Sequence, residues 1–224
     1  MTITPTTLSR AAGAAAVVAG LIFIGVQINH PHLDATSIGT TEVMVRNLLK
    51  LLMAVLALVG ITGMYLSQVR KNGVVGLVGY LVLGTCYLAI MSTVAIAAFV
   101  LPSIADTNPG YVNDVIAVAK GHSATGDIGL LQIVQQVQGF GYLAGGLVFG
   151  IALYRARVLA RWAAALLAVG GVVSIVLSLL PDAFYRLLAF PNGIAMIGLG
   201  YSLWRMARTV TTQPAAIRAT ADAK

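Results

Sequence analysis

Apolar positions run through this chain in six long stretches, at about 11–29, 48–68, 74–101, 135–154, 159–180 and 187–206, and polar positions gather in the gaps between them. Each stretch approaches or exceeds the roughly 20 residues that a helix rising 1.5 Å per residue needs to cross a hydrocarbon layer of about 30 Å. The pattern predicts an all-α fold, a polytopic bundle of six transmembrane helices with mostly short connections. The longest gap, 102–134, holds a polar stretch from Pro109 to Asp127, in which Val112 to Ala119 reads as a short helix lying on the membrane surface. Residues 1–208 read as one transmembrane domain. Residues 209–224 are rich in Thr, Ala and charge without apolar periodicity, and read as a disordered cytoplasmic tail.

Composition agrees with the pattern. Hydrophobic residues make up 58% of the 224 positions and charged residues 9%, with a mean hydropathy of +0.90. A soluble domain carries about a quarter charged residues, so a soluble fold is excluded. The net charge of +7 does not imply a nucleic-acid partner, because the basic residues sit in short turns beside apolar runs and form no patch.

Sorting charges by alternate loops assigns an orientation. Arg10, Arg70, Lys71, Arg155, Arg157, Arg161, Arg205, Arg208, Arg218 and Lys224 fall on one side, with Asp222 as the sole acid. The other side holds four basic residues (Arg46, Lys50, Lys120 and Arg186) and six acidic ones. The positive-inside rule then puts both termini in the cytoplasm of a multi-pass cell-membrane protein. The segment Val26 to Pro31 offers no small-x-small cleavage site, so the first helix reads as retained.

In the fourth run, Gly141 with Gly145 and Gly146 with Gly150 have small-xxx-small spacing. Such spacing suits either a helix partner or homo-oligomer docked on this helix, or close packing inside the bundle, and internal packing is the preferred reading. The interior is informative by what it omits: no Asp, Glu or His falls in the central part of any run. Ion-coupled transport, paired-histidine haem ligation and intramembrane proteolysis all need such groups. No cofactor is therefore expected. Cys86, the single cysteine, lies within the third run and can form no disulfide inside one chain.

Candidate chemistry lies at the outer face. Counting back from the basic turns puts Asn47, Lys50, Gln135 and Gln136 at one depth near the outer interface, with Gln138 beside them and Arg46 and Gln132 about a turn further out. Asn192, which follows Pro191, falls in the outer half of the hydrocarbon, where an amide needs a partner. These residues would line an outward-opening polar pocket bounded by helices one, two, four and six. The alternative is that the long side chains snorkel to the headgroups and hold no ligand.

The first outer loop places His30, His32 and Asp34 within five residues, and the second adds His122 and Asp127. Zinc would want three or four such ligands, which requires the two loops to meet; the plainer reading leaves the histidines at headgroup level and assigns no metal. Asp182 and Arg186 are spaced for a local ion pair. As an enzyme, the protein would use His32, Asp34, His122, Asp127 or Asp182 for proton transfer.

The run Gly20-Leu21-Ile22-Phe23-Ile24-Gly25-Val26-Gln27 leading to His30-Pro31-His32, the basic turns, and Gly198-Leu199-Gly200-Tyr201-Ser202-Leu203-Trp204 resemble an uncharacterised family of small six-helix membrane proteins of actinobacterial type. The resemblance spans most of the chain and implies the fold; it carries over no functional residues. In size and helical character the chain also resembles small membrane-bound terpene cyclases, whose buried acidic residues have no counterpart here. Three functions stand open at this point. The first is binding of a lipophilic or amphipathic small molecule, or of membrane lipid, in the outer pocket. The second is acid-base catalysis on a lipid or isoprenoid at the outer interface. The third is the role of accessory subunit in a membrane complex.

Overall fold

In the computed structural model, which describes residues 3–178, 187 and 189–212, the ends of the helices explain themselves locally. Helix α1 (Pro5–Gly25) starts where the Thr4 hydroxyl accepts the Thr7 amide at 3.2 Å and Pro5 takes the first turn, where an amide hydrogen would go unused. Asn29, at φ 49°, turns the chain away beyond its end. Thr40 caps α2 (Thr41–Leu66) in the same way. Helix α3 (Val69–Ala95) continues through a π-helical turn, Ile96–Val100, into Leu101–Ile104. The short α4 (Pro109–Ala119) begins at Asn108, whose side chain accepts from Tyr111. Helix α5 (Leu130–Ala156) ends at left-handed Arg157, and α6 (Arg161–Ser178) and α7 (Ala189–Thr212) follow.

All six predicted runs fall on helices, and the predicted surface helix is α4. Boundaries differ by several residues: α1 begins at Pro5 instead of 11, α2 at Thr41 instead of 48 and α5 at Leu130 instead of 135. In α2, Arg46 and Asn47 read as loop but bond to neighbouring elements. The last helix runs on to Thr212, six residues past the predicted end. The rest of the predicted tail lies outside the described residues.

Among the described residues, four helices are long and apolar enough to cross a membrane: α1, α2, α3 with its extension to Ile104, and α5. About a third of each apolar window is buried, and the outward faces carry residues such as Leu21, Leu52, Leu81 and Phe140. Apolar faces pointing both inward and outward suit a helix surrounded by lipid.

Taken as α1, α2, α3, α5, α6 and α7, each helix packs against the next, and α7 packs back against α1. Glycines set the seams. A Cβ on Gly13 would come within 2.6 Å of the Gly200 carbonyl, and one on Gly200 within 2.6 Å of the Gly13 carbonyl, while Gly20 faces Gly193 one heptad away. Residue numbers rise on α1 as they fall on α7, so the two helices are antiparallel with backbones in contact. In α5, Gly141 faces Cys86 and Gly145 faces the Leu83 backbone of α3, whereas Gly150 faces Ala164 and Ala168 of α6. Gly141, Gly145 and Gly150 thus pack inside the chain. Met53, Ile61, Phe149, Leu153, Leu199 and Leu203 fill the middle of the ring.

Candidate functional site

At the end of the bundle away from the basic turns, the two long loops meet and build a cap. Ile38, Val43, Leu101, Val112, Val115, Ile116 and Ile128 form a second apolar cluster, drawn from the first outer loop, α2, the end of α3, α4 and the segment before α5. The Ala35 amide donates to Asn113 Oδ1 at 2.9 Å, and Lys120 Nζ donates to the Leu33 carbonyl at 3.3 Å.

Three carboxylates hold the cap's turns. Asp34 Oδ1 accepts from the Thr36 hydroxyl (2.7 Å), the Ser37 amide (2.8 Å) and the Thr36 amide (2.9 Å). These bonds, the Thr36 hydroxyl first, stabilise the anion and pull its pKa down to about 2. Asp114 accepts from the Thr125 amide and hydroxyl, each at 2.8 Å, and from the Gly126 amide at 2.9 Å; the Thr125 amide leads in lowering its pKa. Asp127 accepts from the Gly129 amide at 2.7 Å. Asp34 and Asp127, candidates for proton transfer, are therefore acceptors for their own loops. Asp114 does the same work without any sequence signal, because its partners lie eleven and twelve residues away in an irregular segment. His32 and His122 are exposed on the cap. Among the described residues, no group of three or more His, Cys, Asp or Glu side chains could hold a metal ion.

Beneath the cap lies the predicted polar level, and its members point in different directions. Asn47 is buried on α2 and donates to the Ala97 carbonyl at 3.3 Å, inside the π-helical turn where the regular helical hydrogen-bond pattern is broken. Gln135, also buried, reaches the Val115 carbonyl of α4 at 3.4 Å, and Gln138 accepts from the Thr93 hydroxyl at 2.8 Å. Gln136 is exposed on the outer surface of α5. Asn192 is 1% exposed on α7 and packs against Gly170 of α6. Asp182 and Arg186 lie outside the described residues. The sequence's pocket set is thus dispersed: Asn47, Gln135 and Asn192 join separate helix pairs around a filled core.

Lys50 Nζ lies 3.0 Å from His30 Nε2, and His30 Nδ1 lies 2.9 Å from the Pro31 carbonyl. A carbonyl only accepts and an ammonium only donates, so the proton sits on Nδ1 and Nε2 presents its lone pair to Lys50.

Arg46 closes the C-terminal end of α1. Its Nη1 donates to the carbonyls of Val26 (2.9 Å) and Ile28 (3.0 Å), its Nη2 to Asn29 (3.1 Å) and to Glu42 Oε1 (2.9 Å), and its Nε to Glu42 Oε1 (3.1 Å). All five guanidinium hydrogens are used. Three of the acceptors lie at the α1 terminus or in the turn just beyond it, where the helix dipole favours a cation. Beside this clamp opens a groove of about 420 Å³, lined by Gly25, Val26, Thr41, Glu42, Val45, Arg46 and Leu49. Its walls are mainly apolar, its polar end is Thr41 with Glu42, and it faces sideways, since Gly25, Val45 and Leu49 are all exposed. Sequence reasoning placed the opening among helices one, two, four and six, with Asn47, Lys50, Gln135, Gln136 and Asn192 as its lining. Gly25 and Glu42 gave no sign of it, because the groove exists only where α1 stops short of its neighbour.

No family model, curated protein or solved structure shows significant similarity to this chain. Function is therefore read from its geometry.

Proposed function

We propose that this is a six-span protein of the cell membrane, with both termini and the basic turns in the cytoplasm and the cap outside, that holds a lipophilic or amphipathic molecule in the lateral groove between α1 and α2. Two features support six spans. Helix α7 lies antiparallel along α1 from Gly193 to Gly200, so it shares the depth of a helix able to cross, although Pro191, Asn192 and Arg205 lower its hydropathy. Helix α6 joins α5 to α7 in the same ring. The basic end carries the signs of an inner interface: Arg161 sits 4.3 Å over the Tyr154 ring and Arg208 4.4 Å over Trp204.

The observation that carries the binding reading is the groove. Its volume lies in the range of small-molecule sites, and an apolar trough ending in Thr41 and Glu42 at headgroup depth matches a chain with a polar end. The ligand would reach it sideways from the outer leaflet.

The test replaces Gly25 with tryptophan. A Cβ at Gly25 meets nothing within 4 Å, so the indole would fill the groove without forcing the helices apart. Purified protein in nanodiscs containing a photoactivatable phosphatidylcholine should crosslink through peptides bearing Val45 and Leu49, and G25W should lose that crosslink. Equal crosslinking in both would overturn the proposal.

A further inference from the structure

At the inner corner, where α2 turns into α3, two amide side chains are enclosed with three of their four polar atoms unbonded. Gln68 and Asn72 are each 5% exposed. Gln68 Nε2 donates to the Met64 carbonyl at 3.3 Å, but Gln68 Oε1 and both Asn72 Oδ1 and Nδ2 are buried without a hydrogen-bond partner. Such atoms are uncommon in folded proteins, because a buried polar group left unpaired loses its hydration without compensation.

The backbone puts these atoms together. The Asn72 amide donates to the Gln68 carbonyl at 3.0 Å, so the two side chains stand one helical turn apart on the same face. Arg70 and Lys71, between them, are exposed. Gly73, at φ 57° and ψ −157°, then breaks the turn before α3 proper, in a region only glycine enters readily. A Cβ on Gly76 would lie 3.0 Å from Asn72 Cγ and 3.5 Å from Ala152 Cβ, so the carboxamide is seated between α3 and α5.

We infer that this corner is a binding site for one internal water molecule, held by Gln68 and Asn72 between α2, α3 and α5. The chemistry matches atom for atom. Gln68 Oε1 and Asn72 Oδ1 accept the water's two hydrogens, and Asn72 Nδ2 donates to its oxygen. Three bonds is the usual number for a buried water. An anion would leave the two oxygens facing negative charge, and a cation would face the Nδ2 hydrogens. The site is distinct from the outer groove and independent of it.

Radiolytic footprinting of the full-length protein tests this, since X-rays generate hydroxyl radicals from a bound water in place. Met64 is fully enclosed and its carbonyl accepts from the Gln68 amide, whereas Met53 is slightly more exposed in the apolar core. The expected result is sulfoxide at Met64 several-fold above Met53, and loss of the excess in a Gln68→Met, Asn72→Leu variant. Met64 no more oxidised than Met53 in the wild type would overturn the site, as would an excess that survives in the variant. If the variant does not fold, the wild-type ratio decides alone.

Discussion

The seam between α1 and α7 makes a quantitative prediction. Alanine at Gly13 would put a methyl group 2.6 Å from the Gly200 carbonyl oxygen, 2.7 Å from the Trp204 nitrogen and 2.9 Å from Trp204 Cβ. Ordinary contact begins near 3.4 Å, so the helices must part by about 0.8 Å at this crossing. A gap of that size forfeits a quarter to a half of the dispersion attraction between the atoms that line it, and overpacking of this kind costs about 1–3 kcal/mol. Alanine also favours helix over glycine by about 0.5–1 kcal/mol, which would mask part of the loss. Gly139 supplies the control: it lies in α5 with nothing within 4 Å of its Cβ, so G139A has the same propensity gain and no clash. The difference between G13A and G139A isolates the packing loss. Unfolding each in mixed micelles with tryptophan fluorescence as the readout should give unfolding constants differing by roughly fivefold to a hundredfold. Equal stability of the two variants would refute the backbone-on-backbone seam.

Three further outcomes are expected. Arg46→Lys should lower stability by about 1–2 kcal/mol in the same titration, because a single ammonium cannot bridge three carbonyls and a carboxylate at once. The cap should loosen in acid: Asp34 and Asp114 both have folded pKa values below the ordinary 3.8, so their contribution is present above that value and is lost in acid below it, that of Asp34 as pH falls toward about 2. Circular dichroism of the wild type between those limits should show this slope, and D34N and D114N should each flatten it. Cysteine at Gly39, an exposed cap position, should react with a membrane-impermeant maleimide added outside intact cells, whereas Cys86, 3% exposed, should not; labelling only after lysis would invert the orientation.

The helices were legible because lipid-spanning runs need only length and hydropathy. The inward faces were not, since a helix with lipid on one side and a core on the other is apolar all round. The better guide was small residues at heptad spacing: Gly13 with Gly20 and Gly193 with Gly200 mark the tightest seam. The directions of the polar side chains at the outward-opening pocket's level were not legible for a related reason. Counting residues gives depth at 1.5 Å each but says nothing about the 100° turned with every step. Gln135 and Gln136 share a level, yet one is buried under the cap and the other faces outward. Bonds such as Ala35 to Asn113 and Asp114 to Thr125 join irregular segments far apart in sequence, and no periodicity announces them.

The closed ring bears on how the chain is assembled. Most neighbours in the ring are consecutive helices, so α2, α3, α5 and α6 can each dock as they are made, with little loop entropy to overcome. The seam between α1 and α7 is the exception, because it joins helices far apart in the sequence. Until α7 is made, the glycine face of α1 stands open to any other helix with small residues, a setting for mispairing. Arg46 fastens the C-terminal end of α1 to α2 from the start, which holds that face in position for a partner that arrives much later.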